Sequence, residues 1–175
     1  KLTLCALAAV AAAWEDRDAA EESVPVASML AAESGVLAQR AAQLAQLIRL
    51  ELDNACADPA SVDISVAGDP SEAGGGSLPT VSIPGASVCI KVHGMSCEEL
   101  QRRLRMGDPP VVARVADGSV RLHLRTIFTR DFSRLAAATA SAIASAYART
   151  AGLTGADRSG SETGSSREPG GNVVS

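Results

Sequence analysis

The spacing of apolar residues changes along this chain, and that change most constrains the fold. Between residues 34 and 52 apolar side chains recur about every 3.6 positions, which predicts an amphipathic helix. Between residues 62 and 66 they alternate with polar side chains, which predicts a half-buried strand. An alanine-rich segment over residues 131–149 predicts a final helix. Because both periods occur in one short chain, we expect a mixed fold with helices packed on a sheet.

Turn and capping residues mark the predicted elements. Ser34 and Ser96 are predicted helix N-caps, and Glu99 completes a capping box with Ser96. Asp117-Gly118 predicts a hairpin turn. The predicted order is a helix at 34–52, strands at 62–66 and 87–92, a helix from 96 to 106, a hairpin of 111–115 and 119–126, and a helix at 131–149. This order predicts an α+β fold with a small antiparallel sheet and helices on one face.

The first 13 residues have two interpretations. Lys1 is followed by about a dozen apolar residues, as in a secretory signal peptide. The alternative is a buried or interface helix that continues through Trp14 into a polar stretch. The segment is too short to span a bilayer. Residues 24–31, VPVASMLA, follow a further polar stretch and are interpreted as a connection.

The composition argues against two classes of site. Only 2% of the residues are aromatic and the net charge is −4, which disfavours a base-stacking platform or a dominant nucleic-acid face. The cysteines form no C-x-x-C pair. Cys89, His93 and Cys97 recur every fourth residue, but a predicted strand and Gly94 interrupt any helix there. We therefore expect no metal site.

Two segments could bind an anion. Gly74, Gly75, Gly76 and Ser77 could cradle a phosphate with backbone N–H groups, although the Walker and dinucleotide-binding spacings are absent. A flexible connection is the favoured interpretation of this loop.

Three arginines form a basic cluster on the capped helix, namely Arg102, Arg103 and Arg105. Such a cluster could contact a tRNA backbone. A solvated helix face that Glu98 and Glu99 balance is the favoured alternative.

His123 and Arg125 are predicted to lie on one face of the last strand. An arginine there could hold a substrate carboxylate or phosphate through two parallel hydrogen bonds. The sequence contains no recognisable pairing of a nucleophile with a base, so we assign no catalytic residue to this chain.

Two longer segments resemble a known family. Residues 74–90, GGGSLPTVSIPGASVCI, and residues 100–127, LQRRLRMGDPPVVARVADGSVRLHLRTI, resemble the C-terminal domain of bacterial L-seryl-tRNA(Sec) selenium transferases, the selenocysteine synthases. Residues 1–7, KLTLCAL, and 28–31, SMLA, are similar to segments that precede that domain in the family. The resemblance extends over residues 1–140.

The resemblance implies an activity and its requirements. The family converts seryl-tRNA(Sec) to selenocysteinyl-tRNA(Sec) with selenophosphate, and it is a cytoplasmic homo-oligomer with no membrane segment. It uses pyridoxal phosphate, which a lysine of its large domain binds. Neither Lys1 nor Lys91, the two lysines here, matches that lysine. We therefore expect a fragment that is inactive alone and binds no pyridoxal phosphate alone.

The resemblance also implies a division of the chain. Residues 1–22 would be a linker or interface helix after the missing large domain, residues 23–150 the C-terminal small domain of a type I pyridoxal-phosphate enzyme, and residues 151–175 a disordered tail. It places Arg125 near a substrate carboxylate and the 74–77 glycine loop near the active site. This favours the interface-helix interpretation of residues 1–13 over a signal peptide.

The residues alone are also compatible with two other functions. One is a stand-alone remnant that serves as an interaction or dimerisation module. The other is a related pyridoxal-phosphate lyase that acts on a small amino acid rather than on tRNA.

Overall fold

A computed structural model describes residues 1–55, 61–73 and 78–156 of the chain. The helices there are α1 (Leu2–Ala13), α2 (Arg17–Ser23), α3 (Pro25–Ala31), α4 (Ser34–Asn54), α5 (Cys97–Met106) and α6 (Phe132–Ala156). The strands are β1 (Val62–Gly68), β2 (Ser71–Ala73), β3 (Leu78–Ile83), β4 (Ala86–Val92), β5 (Arg114–Ala116) and β6 (Ser119–His123). Two 3₁₀ turns, Leu124–Thr126 and Thr129–Asp131, connect β6 to α6.

Four strands form one antiparallel sheet in the order β1-β4-β6-β5. Val88 in the central strand β4 lies opposite Val66 of β1 and Leu122 of β6. The strands β2 and β3 pair separately as a two-stranded sheet. The predicted α+β class with a small antiparallel sheet is therefore confirmed.

The core lies between the four-stranded sheet and the helices α4, α5 and α6. Val88 and Ile90 of β4 are fully buried against a cluster that includes Leu44 and Ile48 of α4 and Ile143 of α6. Burying one side chain of this size contributes roughly 1.5–3 kcal/mol. This packing fixes which face of the sheet is apolar and leaves the other face to polar side chains.

The hairpin turn is confirmed, although its strands are shorter than predicted. Asp117 and Gly118 both have positive φ, 48° and 64°, as a tight hairpin turn of this kind requires. Strand β5 begins at Arg114 instead of residue 111, because the N–H of Val111 donates to the carbonyl of Leu104, in the last turn of α5, at 2.7 Å and not to a neighbouring strand.

One of the two predicted helix N-caps is confirmed and the other is wrong. The Ser96 hydroxyl accepts the N–H of Glu99, as the capping box predicts. Ser34, by contrast, is the first residue of α4, and the N-cap is Glu33, which makes no side-chain cap. Val36 fits the apolar spacing that predicts this helix but is 47% exposed, because Leu37, about 100° further round the helix, takes the buried position.

The prediction that residues 24–31 form a connection is wrong, since they form α3. Pro25 stands at the first helical position, where its fixed φ and missing N–H are favourable. The N-cap Val24 makes no side-chain hydrogen bond, so the usual sequence signal for a helix start is absent. The sequence also gave no prediction for the β2–β3 pair.

Residues 1–22 contain α1 and most of α2. No side chain of α1 is buried, and Leu2, Leu4 and Leu7 are 88%, 69% and 63% exposed. Among the described residues, none of the helices has the length and apolar character needed to cross a bilayer. The polar stretch after Trp14 starts α2, where Asp16 accepts the N–H groups of Asp18 and Ala19.

The last helix is longer than predicted. Helix α6 continues to Ala156, beyond the expected end at 149 and into the segment that was expected to be a disordered tail. Residues 157–175 of that predicted tail lie outside the described part of the chain.

Candidate functional site

Arg125 lies in the 3₁₀ turn that follows β6 and is almost fully buried, with 6% of its surface exposed. The prediction that it shares a strand face with His123 is wrong. Strand β6 ends at His123, and the chain then turns, so that Leu124 and Arg125 are both buried.

The Arg125 guanidinium donates to backbone oxygens from two segments. Nη1 lies 2.6 Å from the carbonyl oxygen of Met29, 3.3 Å from that of Leu30 and 3.2 Å from that of Ala32. Nη2 donates to the carbonyl of Pro84 at 2.6 Å. Nε donates to the hydroxyl of Ser71 at 3.1 Å. Burial lowers the pKa of Arg125 from its usual value.

His123 lies beside this turn and connects it to Asp69. The N–H of Arg125 donates to Nδ1 of His123 at 3.4 Å, and Nε2 lies 3.0 Å from the carbonyl oxygen of Asp69. Since an N–H only donates and a carbonyl only accepts, this pattern fits the tautomer with hydrogen on Nε2. In this arrangement His123 orients backbone groups.

Asp69, which sequence reasoning missed, is the centre of a buried polar cluster on the sheet face opposite the helices. The Ser87 hydroxyl donates to Oδ2 at 2.5 Å, Arg114 pairs with Oδ1, and Nη1 of Arg121 lies 3.4 Å from Oδ1. Burial by itself would raise the pKa of Asp69, but the Ser87 hydrogen bond and the two arginines outweigh it and lower that pKa. The one available signal was an aspartate between Gly68 and a proline directly after an alternating strand.

Gly85 allows its backbone segment to lie close to Asp69 and His123. A Cβ atom at Gly85 would lie 2.6 Å from the carbonyl oxygen of Asp69 and 2.9 Å from Nε2 of His123. The N–H of Asp69 also donates to the carbonyl of Gly85 at 2.9 Å. The close approach of these two backbone segments therefore requires glycine at this position.

Gly74, Gly75, Gly76 and Ser77 lie outside the described residues, between β2 and β3 in the sequence. Their placement near an active site stays a prediction.

The arginines of α5 are largely paired with Glu99. Arg102 donates to both carboxylate oxygens of Glu99 at 2.8 and 2.9 Å, and Arg103 donates at 2.7 Å. These contacts, first of all the hydrogen bonds from Arg102, lower the pKa of Glu99 to about 2. This arrangement matches the interpretation of the cluster as a balanced helix face, with Glu99 as its acidic partner.

The three residues whose spacing resembles that of metal ligands lie on different parts of the fold. Cys89 is buried in β4, Cys97 begins α5, and Nε2 of His93 lies 3.3 Å from Oδ2 of Asp63. Across residues 1–55, 61–73 and 78–156, no group of three histidine, cysteine or acidic side chains is arranged to hold a metal ion.

Curated relatives resemble the chain over most of its length. The L-seryl-tRNA(Sec) selenium transferase of Aquifex aeolicus is 34% identical over 114 residues, which are 65% of this chain and 24% of the relative. That of Caldanaerobacter subterraneus is 34% identical over 131 residues, 75% of this chain and 26% of the relative. That of Geotalea uraniireducens is 31% identical over 138 residues, 79% of this chain and 29% of the relative. The chain thus spans about a quarter of the length of these relatives.

The sequence model of one protein family, described as L-seryl-tRNA selenium transferase, matches residues 1–128. This range includes α1 to α5, the strands β1 to β6 and Arg125, and it ends just before α6. It is also well over half of the 175 residues. The chain therefore belongs to the L-seryl-tRNA selenium transferase family, a family of transferases.

Proposed function

We propose that this chain forms the C-terminal domain of an enzyme that converts seryl-tRNA(Sec) to selenocysteinyl-tRNA(Sec), with selenophosphate as the selenium donor. The observation that supports this most strongly is the family match over residues 1–128, which takes in both the N-terminal helices and the sheet. In this reaction the serine hydroxyl leaves as water, selenium takes its place, and the P–Se bond of selenophosphate is hydrolysed so that phosphate is released. A tRNA substrate also implies the cytoplasm.

The residues of this chain do not fit a pyridoxal-phosphate site. Such a site needs a lysine amine to bind the cofactor covalently. Lys1 is exposed at the first residue, and Lys91 is exposed on β4 opposite Asp63. We therefore propose that the rest of the full-length enzyme holds pyridoxal phosphate, which would supply the electron sink for loss of the serine proton and hydroxyl. No reaction step is assigned to a residue of this chain.

Helix α1 supports the proposal that this chain packs against further protein. A helix that is apolar all round is normally buried, yet Leu2 and Leu4 of α1 are 88% and 69% exposed. The remaining three quarters of the enzyme, or a second subunit of a homo-oligomer, would cover this surface. A stand-alone dimerisation module would use the same surface.

A hybrid enzyme tests the proposed function. Residues 1–156 replace the aligned segment of the Aquifex aeolicus transferase, and selenocysteinyl-tRNA(Sec) is measured after incubation with seryl-tRNA(Sec) and selenophosphate. We expect product from the hybrid. The Lys91→Ala hybrid is the matched control and should be equally active, since this lysine binds no cofactor. A folded hybrid of the parent's subunit number that forms no product would contradict the proposal.

The lyase alternative predicts a different set of genes in the organism. A selenium transferase requires a gene for tRNA(Sec) and a selenophosphate synthetase in the same organism. A lyase that acts on a small amino acid requires neither. An organism that lacks both the tRNA(Sec) gene and the selenophosphate synthetase would favour the lyase.

A further inference from the structure

Arg125 joins three parts of the chain that are distant in sequence. Its donors reach the carbonyls at the end of α3, the carbonyl of Pro84 that follows β3, and the hydroxyl of Ser71 in β2. Its own turn follows β6. One buried cation thus connects the N-terminal helices, the β2–β3 pair and the four-stranded sheet.

The contacts at α3 supply hydrogen-bond donors to carbonyl groups at the C-terminal end of the helix. The last carbonyls of a helix have no partner within the helix, and a cation near them also interacts favourably with the helix dipole. Met29 and Leu30 lie in the last turn of α3, and Ala32 follows it. The Arg125 guanidinium therefore supplies donors to carbonyl groups at the end of α3 that have no partner within that helix.

Apolar packing holds α3 only weakly. Ala27 is the only buried side chain of this helix, whereas Val26 and Leu30 are 62% and 47% exposed. A methyl group contributes little burial. The hydrogen bonds to Arg125 must therefore supply much of what keeps α3 in place.

We propose that Arg125 is a positioning residue that fixes α3, and through it α1 and α2, on the sheet domain. Helix α3 follows α2 directly, and the two helices pack together, so the end of α3 sets where the apolar helix α1 leaves the domain. Arg125 then acts on the arrangement of the chain and does not contact substrate. This role does not depend on which substrate the enzyme uses. The positioning role can therefore be refuted while the proposed function stands, and the proposed function can be refuted while the positioning role stands.

Hydrogen–deuterium exchange on the full 175-residue chain tests the proposal. In Arg125→Gln, the amides of the segment 25–32, in which Pro25 has no N–H, should exchange about tenfold faster or more, because charged hydrogen bonds are lost, while β4 (86–92) changes far less. Arg125→Lys keeps the charge and part of the donor set, so it should restore part of the protection. The control Arg130→Gln removes an arginine whose side chain is 77% exposed and should match the native chain.

Two results would overturn the proposal. One is unchanged exchange of residues 25–32 in folded Arg125→Gln, as expected if Arg125 serves only a ligand. The other is an equal increase in 25–32 and in β4, which would mean a general contribution to stability. If Arg125→Gln does not fold, exchange is measured in Arg125→Lys instead. Faster exchange confined to residues 25–32 would then support the proposal, and equally faster exchange in β4 would contradict it.

Discussion

At the residue scale, buried charges in this protein are matched by partners that the sequence only partly reveals. Arg125 could be singled out as an arginine near the end of a strand, but four of its five acceptors are backbone carbonyls, which have no sequence signature. Asp69 was overlooked because its partners Ser87 and Arg121 come from two later strands. Only the pairing of strands β1, β4 and β6 brings these side chains together.

Loss of the Asp69 charge should destabilise the protein. Asp69→Asn removes the carboxylate that faces Arg114 and Arg121, and we expect the free energy of unfolding to fall by about 2 kcal/mol in urea denaturation. Asp63→Asn is the matched control, because the Asp63 side chain is 67% exposed, and it should change the free energy by less than about 0.5 kcal/mol. Equal effects of the two substitutions would contradict the account of the cluster.

The lowered pKa of Asp69 also predicts a pH dependence. The folded protein holds this carboxylate ionised more strongly than the unfolded chain does, so its stabilisation is complete above the ordinary pKa of about 4. It is lost as the pH falls from there through the lowered folded pKa. Urea denaturation across this range should show a steeper loss of stability for the native chain than for Asp69→Asn. Parallel curves would show that another carboxylate causes the acid sensitivity.

Gly85 should not tolerate a side chain. In Gly85→Ala the new Cβ would meet the Asp69 carbonyl oxygen at 2.6 Å, a backbone atom that moves only with its strand end. We expect a loss of about 1–3 kcal/mol in the free energy of unfolding, measured by urea denaturation. Gly68→Ala, where nothing lies within 4 Å of the new atom, is the control and should be near neutral. A neutral Gly85→Ala would show that the two segments separate easily.

At the element scale, the sequence predicted the elements whose local signals agree with their packing. The long helix α4, the strands β1 and β4, the capped helix α5 and the hairpin all occur close to their predicted positions. Helix α3 was missed because it has no capping side chain and buries one alanine. Strand β6 was predicted too long, because a period of two continues through Leu124 and Arg125 while the backbone turns to bury both.

The cap of α5 should contribute measurably to stability. Ser96→Ala removes the hydroxyl that accepts the N–H of Glu99 at 3.2 Å, and the expected loss is about 1 kcal/mol, seen as a lower Tm. Ser141→Ala, at an exposed position inside α6, serves as the control and should leave Tm nearly unchanged. A Tm that is the same in both variants would mean that α5 is held by packing alone.

At the scale of the whole molecule, the sheet domain is well packed while α1 is apolar and uncovered. The core between the sheet and the helices α4, α5 and α6 is continuous, whereas no side chain of α1 is buried. The family relatives are about four times as long as the part that matches this chain. These observations together support the proposal that the chain is a domain of a larger transferase, with the proposed cofactor chemistry in the rest of that protein.

The DNA immediately upstream of the codon for Lys1 tests this account most directly. We predict that the reading frame continues upstream through about three quarters of a selenium transferase and includes a lysine within a pyridoxal-phosphate-binding motif. A start codon close to Lys1, with no such frame before it, would contradict the account and would support a stand-alone interaction module.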